Sequence, residues 1–426
     1  MDYDVIVVGG GPGGLIASKT LKEAGLNVAL IEIKKDYDSL NRACSQQFIL
    51  DDDYEGEGIV VKEGELYFPK SNFSVPYNGK LIPIYNKYYH SPKDNIMRFT
   101  RENGAAPFSY KFDKQHMLKD FYLLDKDLGV DIYLGTSASN AIDHGDKVEV
   151  VLSKAGQVSS IFGKKLIIAE GVNANLTGKM GFNENRPLVA TATCMKYTFK
   201  GKLGTEDNSW NLYYGLAYHS YAAIIIGPSL EGNDYRELTI TGSVNNKPGD
   251  IYNKLVENSP ISKNFVGAEL VHKTACGVSA FPSIKKPYKG NVIVIGDAAA
   301  FIEVEVQGAI LCGYHAAKAI IDALNNKPGF DEYTKWWSAN FEFNKGQDVS
   351  VSQGYALVPF YTDDEIDYLF GLTKGECFYG TYSQYKTPEY MWDAILKHAK
   401  EIKEEQPAIA QKMHKLFDMS IDKSIK

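Results

Sequence analysis

The chain has 426 residues, 44% hydrophobic and 23% charged, an ordinary globular balance with room for two or three domains that excludes disorder over most of its length. Its formal charge is −7, from 46 Lys plus Arg against 53 Asp plus Glu, which excludes nucleic acid as a main partner because phosphate binding needs a basic field. No apolar run reaches about 18 residues, so no membrane-spanning helix is expected, although peripheral contact through aromatic side chains stays open.

The first element is a β-branched strand, Asp4-Val5-Ile6-Val7-Val8, followed at once by Gly9-Gly10-Gly11-Pro12-Gly13-Gly14. Leu15 to Glu23 reads as a helix stopped by Gly25, and Asn27 to Ile31 as a second strand with Glu32 at its end. Gly9, Gly11 and Gly14 satisfy G-x-G-x-x-G, and Glu32 stands 18 residues after Gly14. Each part has a mechanical reason. Gly9 permits the tight turn, and Gly11 lets backbone approach a pyrophosphate at the helix N-terminus. Gly14 lets helix and strand pack closely, and Glu32 can accept both ribose hydroxyls of an adenosine. Strand, loop, helix, strand and acid in this order point to a dinucleotide at Gly9, Gly11, Pro12, Gly13, Gly14 and Glu32. The acid argues against a 2′-phosphate. These residues alone leave the choice of dinucleotide open.

Further along, Asn41-Arg42-Ala43-Cys44-Ser45-Gln46 precedes a Tyr- and Phe-rich stretch. Asp113 caps an amphipathic helix with Met117, Leu118, Phe121, Leu124 and Leu128 on one face and Gly129 as its stop. Val130 to Leu134 returns as a strand, and Leu166 to Ile168 is another, running into Ala169-Glu170-Gly171. Ala190 to Lys196, Leu212 to Tyr218, Ala222 to Ile226 and Glu237 to Gly242 read as an antiparallel sheet. Asn291 to Ile295 is a buried strand leading into Gly296-Asp297-Ala298, then Phe301 to Ile310 and a long helix from about Ile310 to Leu324. Phe330 to Lys426 reads as mainly helical. The five cysteines, at 44, 194, 276, 312 and 377, are never closer than 36 residues. Zinc ribbons, Cys-x-x-Cys dithiols and ferredoxin-type clusters are thereby excluded. The odd count and the strand starting at Asp4 lead to the expectation of a cytoplasmic protein without a signal peptide.

Four landmarks fall in one order. The glycine loop is followed by Phe112-Asp113-Lys114, then Glu170-Gly171, then Gly296-Asp297. This order resembles the p-hydroxybenzoate-hydroxylase-like branch of the glutathione-reductase-like FAD enzymes, and within it the geranylgeranyl reductase group. The resemblance implies an α/β fold: a Rossmann-like FAD-binding domain, an antiparallel-sheet substrate domain and a helical C-terminal region. The expected boundaries are 1–72, 105–185 and 270–329 for the FAD-binding domain, 73–104 and 186–269 for the cap, and 330–426 for the helical region. It also implies that Asp297 contacts the ribityl chain and Arg42 the pyrophosphate, from opposite ends of FAD. Gly308 is implied to lie along the cofactor, and Cys44 beside the isoalloxazine.

The resemblance separates reductase from hydroxylase at one segment. Ala300 stands where a hydroxylase has His, and Val304 where it has Pro. The expected reaction is saturation of a carbon–carbon double bond in an apolar or aromatic small molecule. The alternatives are an FAD monooxygenase of hydroxylase or halogenase type and a flavin electron-transfer module. Such a reduction needs a proton as well as a hydride, and Glu303 and Glu305 sit in an apolar surround after the Gly-Asp segment. An extended segment would point both to one side, where desolvation favours the neutral acid. Glu303, Glu305 and Cys44 are therefore the catalytic candidates, expected under a sheet carrying Tyr213, Tyr214, Tyr218 and Tyr221. The sheet's nearest counterpart to the Tyr-x-Trp-x-Phe-Pro motif of archaeal lipid reductases, Tyr221 to Pro228, lacks the Trp and the Phe. A single fingerprint leaves no separate nicotinamide domain, so electrons are expected from an external donor: NAD(P)H, ferredoxin or a carrier flavoprotein.

Overall fold

The computed structural model describes residues 2–40, 42–101, 106–346 and 357–417. Asn41 and the end of the C-terminal tail lie outside the described residues.

Two large sheets face one another across the loops that join them. In the first, strands Asp131–Leu134, Val28–Glu32, Tyr3–Val8, Gln157–Ile168 and Val292–Val294 lie side by side and parallel. Val5, Ile6, Val7, Val28, Leu30, Ile167 and Val292 are wholly buried, as parallel strands covered on both faces must be. Helices Pro12–Glu23 and Glu305–Leu324 pack against each other. Gly13 and Gly313 make this possible: a Cβ on Gly13 would lie 2.8 Å from the Ala309 carbonyl oxygen, and one on Gly313 would strike the Gly13 carbonyl. The N-terminal half of Gln157–Ile168 continues as a hairpin with Val148–Lys154, which pairs with Ser137–Asp143.

All five parallel strands end at the same edge. The loops that follow them, including Gly9 to Gly11, Ala169 to Gly171 and the segment after Val294, therefore gather where open α/β sheets bind ligands.

The second sheet has eight strands in the order Glu269–Ala280, Ala190–Lys200, Gly232–Gly242, Ile224–Ser229, Ser209–Tyr213, Asn86–His90, Ile96–Thr100 and Phe378–Tyr379. Three parts of it differ from the sequence reading. Strand Glu269–Ala280 pairs along its length with Ala190–Lys200, so residues 270–280 belong to the cap sheet, not to the first domain. Phe73–Pro76 joins a small separate sheet with Glu65–Phe68 and Val60–Lys62. The mainly helical C-terminal region lends its short strand Phe378–Tyr379 to the cap.

The two faces of the cap differ in chemistry. Tyr197, Phe199, Tyr213, Tyr218, Ile224, Ile226, Leu238 and Ile240 form a cluster with Ile251 and Leu255 of helix Pro248–Glu257. The alternate residues Lys196 and Glu237 turn the other way and meet Lys111 of the strand Ser109–Phe112. The sheet therefore roofs the loops with a polar face.

Candidate active site

The glycine loop keeps its expected mechanics. Gly9 has φ +107°, and a Cβ there would run into the Ala169 carbonyl. A Cβ on Gly14 would strike the Gly9 carbonyl, which is the close helix–strand contact. Gly11 is different, since nothing stands within 4 Å of where its Cβ would be. Gly11 is also the N-cap of helix Pro12–Glu23 and no side chain caps it. An open cradle in front of free helix N–H groups suits a pyrophosphate. Glu32 is buried, with Oε2 accepting from Gly10 N at 2.6 Å and Oε1 from Lys34 N at 2.7 Å. A carboxylate has about four acceptor positions, so two stay available for ribose hydroxyls. The residues present fit an adenosine diphosphate moiety.

Glu170 has a structural task in this structure. Its carboxylate accepts from Leu176 N, Thr177 N and Thr177 Oγ1 at 2.7–3.0 Å, fastening the N-terminus of helix Asn175–Lys179.

The Gly-Asp segment is a single turn of 3-10 helix, Gly296–Ala298, and the long helix starts only at Glu305, five residues earlier than about Ile310. Asp297 Oδ1 accepts from Val304 N at 3.0 Å, closing the loop between them. Burial holds the Asp297 carboxyl above its ordinary range, and Lys114 and Arg42 oppose the rise. Gly296 has φ +67° and open space at its Cβ position, leaving backbone free to approach a ligand. Arg186, which the sequence reading missed, braces this loop. Its guanidinium donates to the carbonyls of Pro282, Ala298 and Ala300 and to Asn183 Oδ1 at 2.6–3.1 Å. Gln307, also missed and fully buried, ties the long helix to strand Gln47–Ile49. It accepts from Ile49 N at 2.7 Å and donates to Ile49 O at 3.0 Å.

Glu303 and Glu305 do not alternate along an extended segment. Glu303 N donates to Phe301 O, Ile302 and Glu305 take positive φ of 64° and 55°, and Glu305 is already helical. The tight loop nevertheless keeps the two carboxyls within electrostatic reach of each other. Burial and the neighbouring Asp297 push the Glu303 carboxyl up to about 7. Burial, Glu303 and Cys44 push Glu305 well above the carboxylate range. Cys44 accepts from Lys114 Nζ at 3.5 Å, and Lys114 is the cation that offsets all three acids. Lys114 follows Asp113 at the start of its helix, and only the fold brings its charge to acids nearly two hundred residues away.

Arg42 stands within electrostatic reach of Asp297. It hydrogen-bonds the Cys276 sulfur and exerts its field on Asp297 and Glu303. Gly308 makes room for a side chain, because a Cβ there would collide with the Glu55 carboxylate. Glu55 is buried with Oε2 unpartnered, its φ is +53°, and burial with Glu342 and Glu305 raises it well above the usual range.

The tyrosines do not form the expected roof. Tyr213 and Tyr218 pack on the far face of the cap under helix Pro248–Glu257, with Tyr213 stacked on His90 at 4.4 Å. Tyr214 joins the cluster of the C-terminal helices, and Tyr221 is 58% exposed. The inner face presents Lys196, Glu237, Cys194 and Cys276 above Gln46 and Lys111. His315 packs as a surface-helix residue, stacked on Trp336 at 4.1 Å and bonded to Ser71. Cys312 is wholly buried among apolar neighbours.

Comparison with known proteins agrees with this geometry. The family described as pyridine nucleotide-disulphide oxidoreductase matches residues 3–185. A digeranylgeranylglycerophospholipid reductase of Methanospirillum hungatei is 24% identical over 80% of this chain and 82% of its own. A digeranylgeranylglycerophospholipid reductase of Methanosphaera stadtmanae is 26% identical over 85% and 86%. Among solved structures, a geranylgeranyl bacteriochlorophyll reductase-like protein of Thermoplasma acidophilum superposes with a TM-score of 0.72 at 18% identity, covering 97% of this chain and 99% of that one. A p-nitrophenol 4-monooxygenase of Pseudomonas putida gives 0.62 at 14% identity, covering 93% and 97%. The structural likenesses establish the fold alone.

Proposed function

We propose that this chain, an FAD-dependent oxidoreductase of the geranylgeranyl reductase group, saturates a carbon–carbon double bond of an apolar, prenyl-like small molecule. The observation that carries the reading is the acid loop. Directly after the Gly-Asp segment, Glu303 and Glu305 share a tight turn near Cys44 and Lys114, and their surroundings raise both carboxyls. The reductase names of the relatives, matched over four-fifths of the chain, support it.

The parts divide as follows. Gly11, Gly13 and Gly14 offer backbone N–H groups to the pyrophosphate, Gly9 gives the loop its turn and Pro12 opens the helix, with Glu32 on the adenosine ribose. Asp297 takes the ribityl chain, Arg42 supplies positive charge to the cofactor, and Gly308 leaves room for the Glu55 carboxylate beside helix Glu305–Leu324. When bound, FAD supplies a hydride equivalent. Glu303 supplies the proton to the other carbon of the double bond, and Glu305, itself neutral, places no second negative charge against the one left on Glu303 after transfer. Lys114 holds Cys44 and steadies the charge left on Glu303 after transfer. An external two-electron donor restores the cofactor.

Glu303→Gln and Glu305→Gln test this. The expected result is slower substrate reduction, by about 10²–10⁴ if one acid is the donor, with dithionite reduction of the flavin unchanged. Full activity in both variants would contradict the roles. A monooxygenase would instead consume oxygen in step with product.

A further inference from the structure

Strands Ala190–Lys200 and Glu269–Ala280 run antiparallel with Cys194 directly opposite Cys276. Directly opposed residues have Cα atoms about 4.5–5.5 Å apart, inside the range of about 4.4–6.8 Å that a disulfide spans. Both cysteines are free, half-buried, and each shifts the titration of the other.

Their surroundings are those of the site, not of the cap's apolar core. Alternation turns Cys194 to the same face as Lys196, opposite to Tyr197 and Phe199. Cys194 Sγ lies 3.3 Å from Thr241 Oγ1. Arg42 hydrogen-bonds Cys276, and Cys276 acts electrostatically on Glu303. Ala43 N donates to Ala275 O at 3.4 Å, so the segment carrying Arg42 and Cys44 is tied to this strand.

The two sulfurs are unlike. The hydrogen bond from Cys194 and the charge of Arg42 hold the Cys276 thiol down to about 6, while the same hydrogen bond and burial push Cys194 up. A thiolate beside a thiol is the pairing that thiol–disulfide exchange requires, with one sulfur to attack and one to resolve.

We propose that Cys194 and Cys276 are a second redox centre, a dithiol that closes reversibly to a cross-strand disulfide and exchanges an electron pair with the FAD site below it. In closing, the Cys276 thiolate and the Cys194 thiol form one S–S bond and the Cys194 S–H bond breaks. The electron pair and that one proton would pass to oxidised FAD when it is bound, leaving it as the reduced anion. In the reverse direction the same pair and proton would return to the sulfurs and the S–S bond would open. A small dithiol reductant opens the same bond by exchange and is itself left as a disulfide, which gives the site a thiol-fed route for electrons. The exchange with FAD rests on the reading of the cofactor site above, whereas closure of the disulfide does not.

The test has two readings. First, the cofactor-stripped chain is oxidised with glutathione disulfide, alkylated, digested and weighed. A peptide linking Cys194 to Cys276 and opened by dithiothreitol is expected. Thiols that remain open to alkylation, or a link from Cys276 to Cys44, would overturn the proposal. Second, the oxidised, flavin-loaded protein is titrated with dithionite without oxygen. The wild type is expected to take about four electrons per FAD, two for the flavin and two for the pair. Cys194→Ser and Cys276→Ser, or the alanine variants if a serine variant misfolds, are expected to take about two. A wild-type value of about two overturns electron exchange without needing any variant. Failure of the FAD reading shows separately, as a colourless chain that still closes the disulfide.

Discussion

Glu303 titrates where a proton donor is useful. Its carboxyl is raised to about 7 by burial and by Asp297, so it is mostly protonated below that pH and mostly ionised above it. A donor must be protonated before the step. Substrate reduction is therefore expected to fall as pH rises through about 7, and Glu303→Gln should remove that limb of the profile, leaving only the slower background. A pH-rate profile measured at saturating donor checks this. Asp125 carries a second pH effect of different origin. It is fully buried on helix Lys114–Leu128, neither oxygen has a partner among the described residues, and burial raises it from 3.8 to about 8. Its folded-state value lies above its unfolded one, so between those two pH values the folded chain binds the extra proton. Stability should then decline as pH rises from about 4 to 8, by up to about 1.4 kcal/mol per unit from this group. Asp125→Asn should flatten that decline, as urea unfolding at pH 5, 7 and 9 would show. Equal slopes in variant and wild type would contradict it.

At the scale of elements, one buried side chain ties helix Glu305–Leu324 to strand Gln47–Ile49. Gln307→Ala strips partners from both the N–H and the C=O of Ile49. A loss of about 2–4 kcal/mol is expected, since two buried backbone groups are left unsatisfied; chemical denaturation measures it, and a change under about 0.5 kcal/mol would refute the tie. Elements differ in how legible they were beforehand. The fingerprint and the helix capped by Asp113 were readable because their turns and caps are set by residues near in sequence: Asp113 Oδ1 accepts from His116 N at 2.9 Å, and Gly129 takes φ +83°. The cap edge was not. Strand Glu269–Ala280 meets Ala190–Lys200 across some 80 residues, and neither strand announces its partner. The same gap hid the Cys194 and Cys276 pair, which spacing along the chain could not reveal. Tyr213 was misplaced because both faces of its strand are buried, so the alternation of Ser209 and Asn211 with Trp210 and Leu212 marks no solvent side. The acid loop defeated the alternation rule through two positive φ values in non-glycine residues, Ile302 and Glu305.

For the whole molecule, the account makes cofactor and fold interdependent. The parallel strands place Gly11, Glu32 and Gly296 at one edge, and a cofactor bound there stabilises the folded chain by mass action. Glu32→Ala should weaken FAD retention by about 1.5–3 kcal/mol for each lost charge-assisted bond and lower the melting temperature of the loaded protein more than that of the stripped one. Equal shifts in both forms would show that Glu32 serves the loop alone. Among the described residues no helix is long and apolar enough to cross a membrane. The most direct measurement of the central claim is made without oxygen. The FAD-loaded protein, reduced beforehand, is mixed with an unsaturated prenyl lipid and the lipid is weighed. The account predicts a gain of two hydrogens for each double bond saturated, with one electron pair withdrawn from the flavin each time. An unchanged lipid, together with an oxygen atom gained once air is admitted, would contradict it.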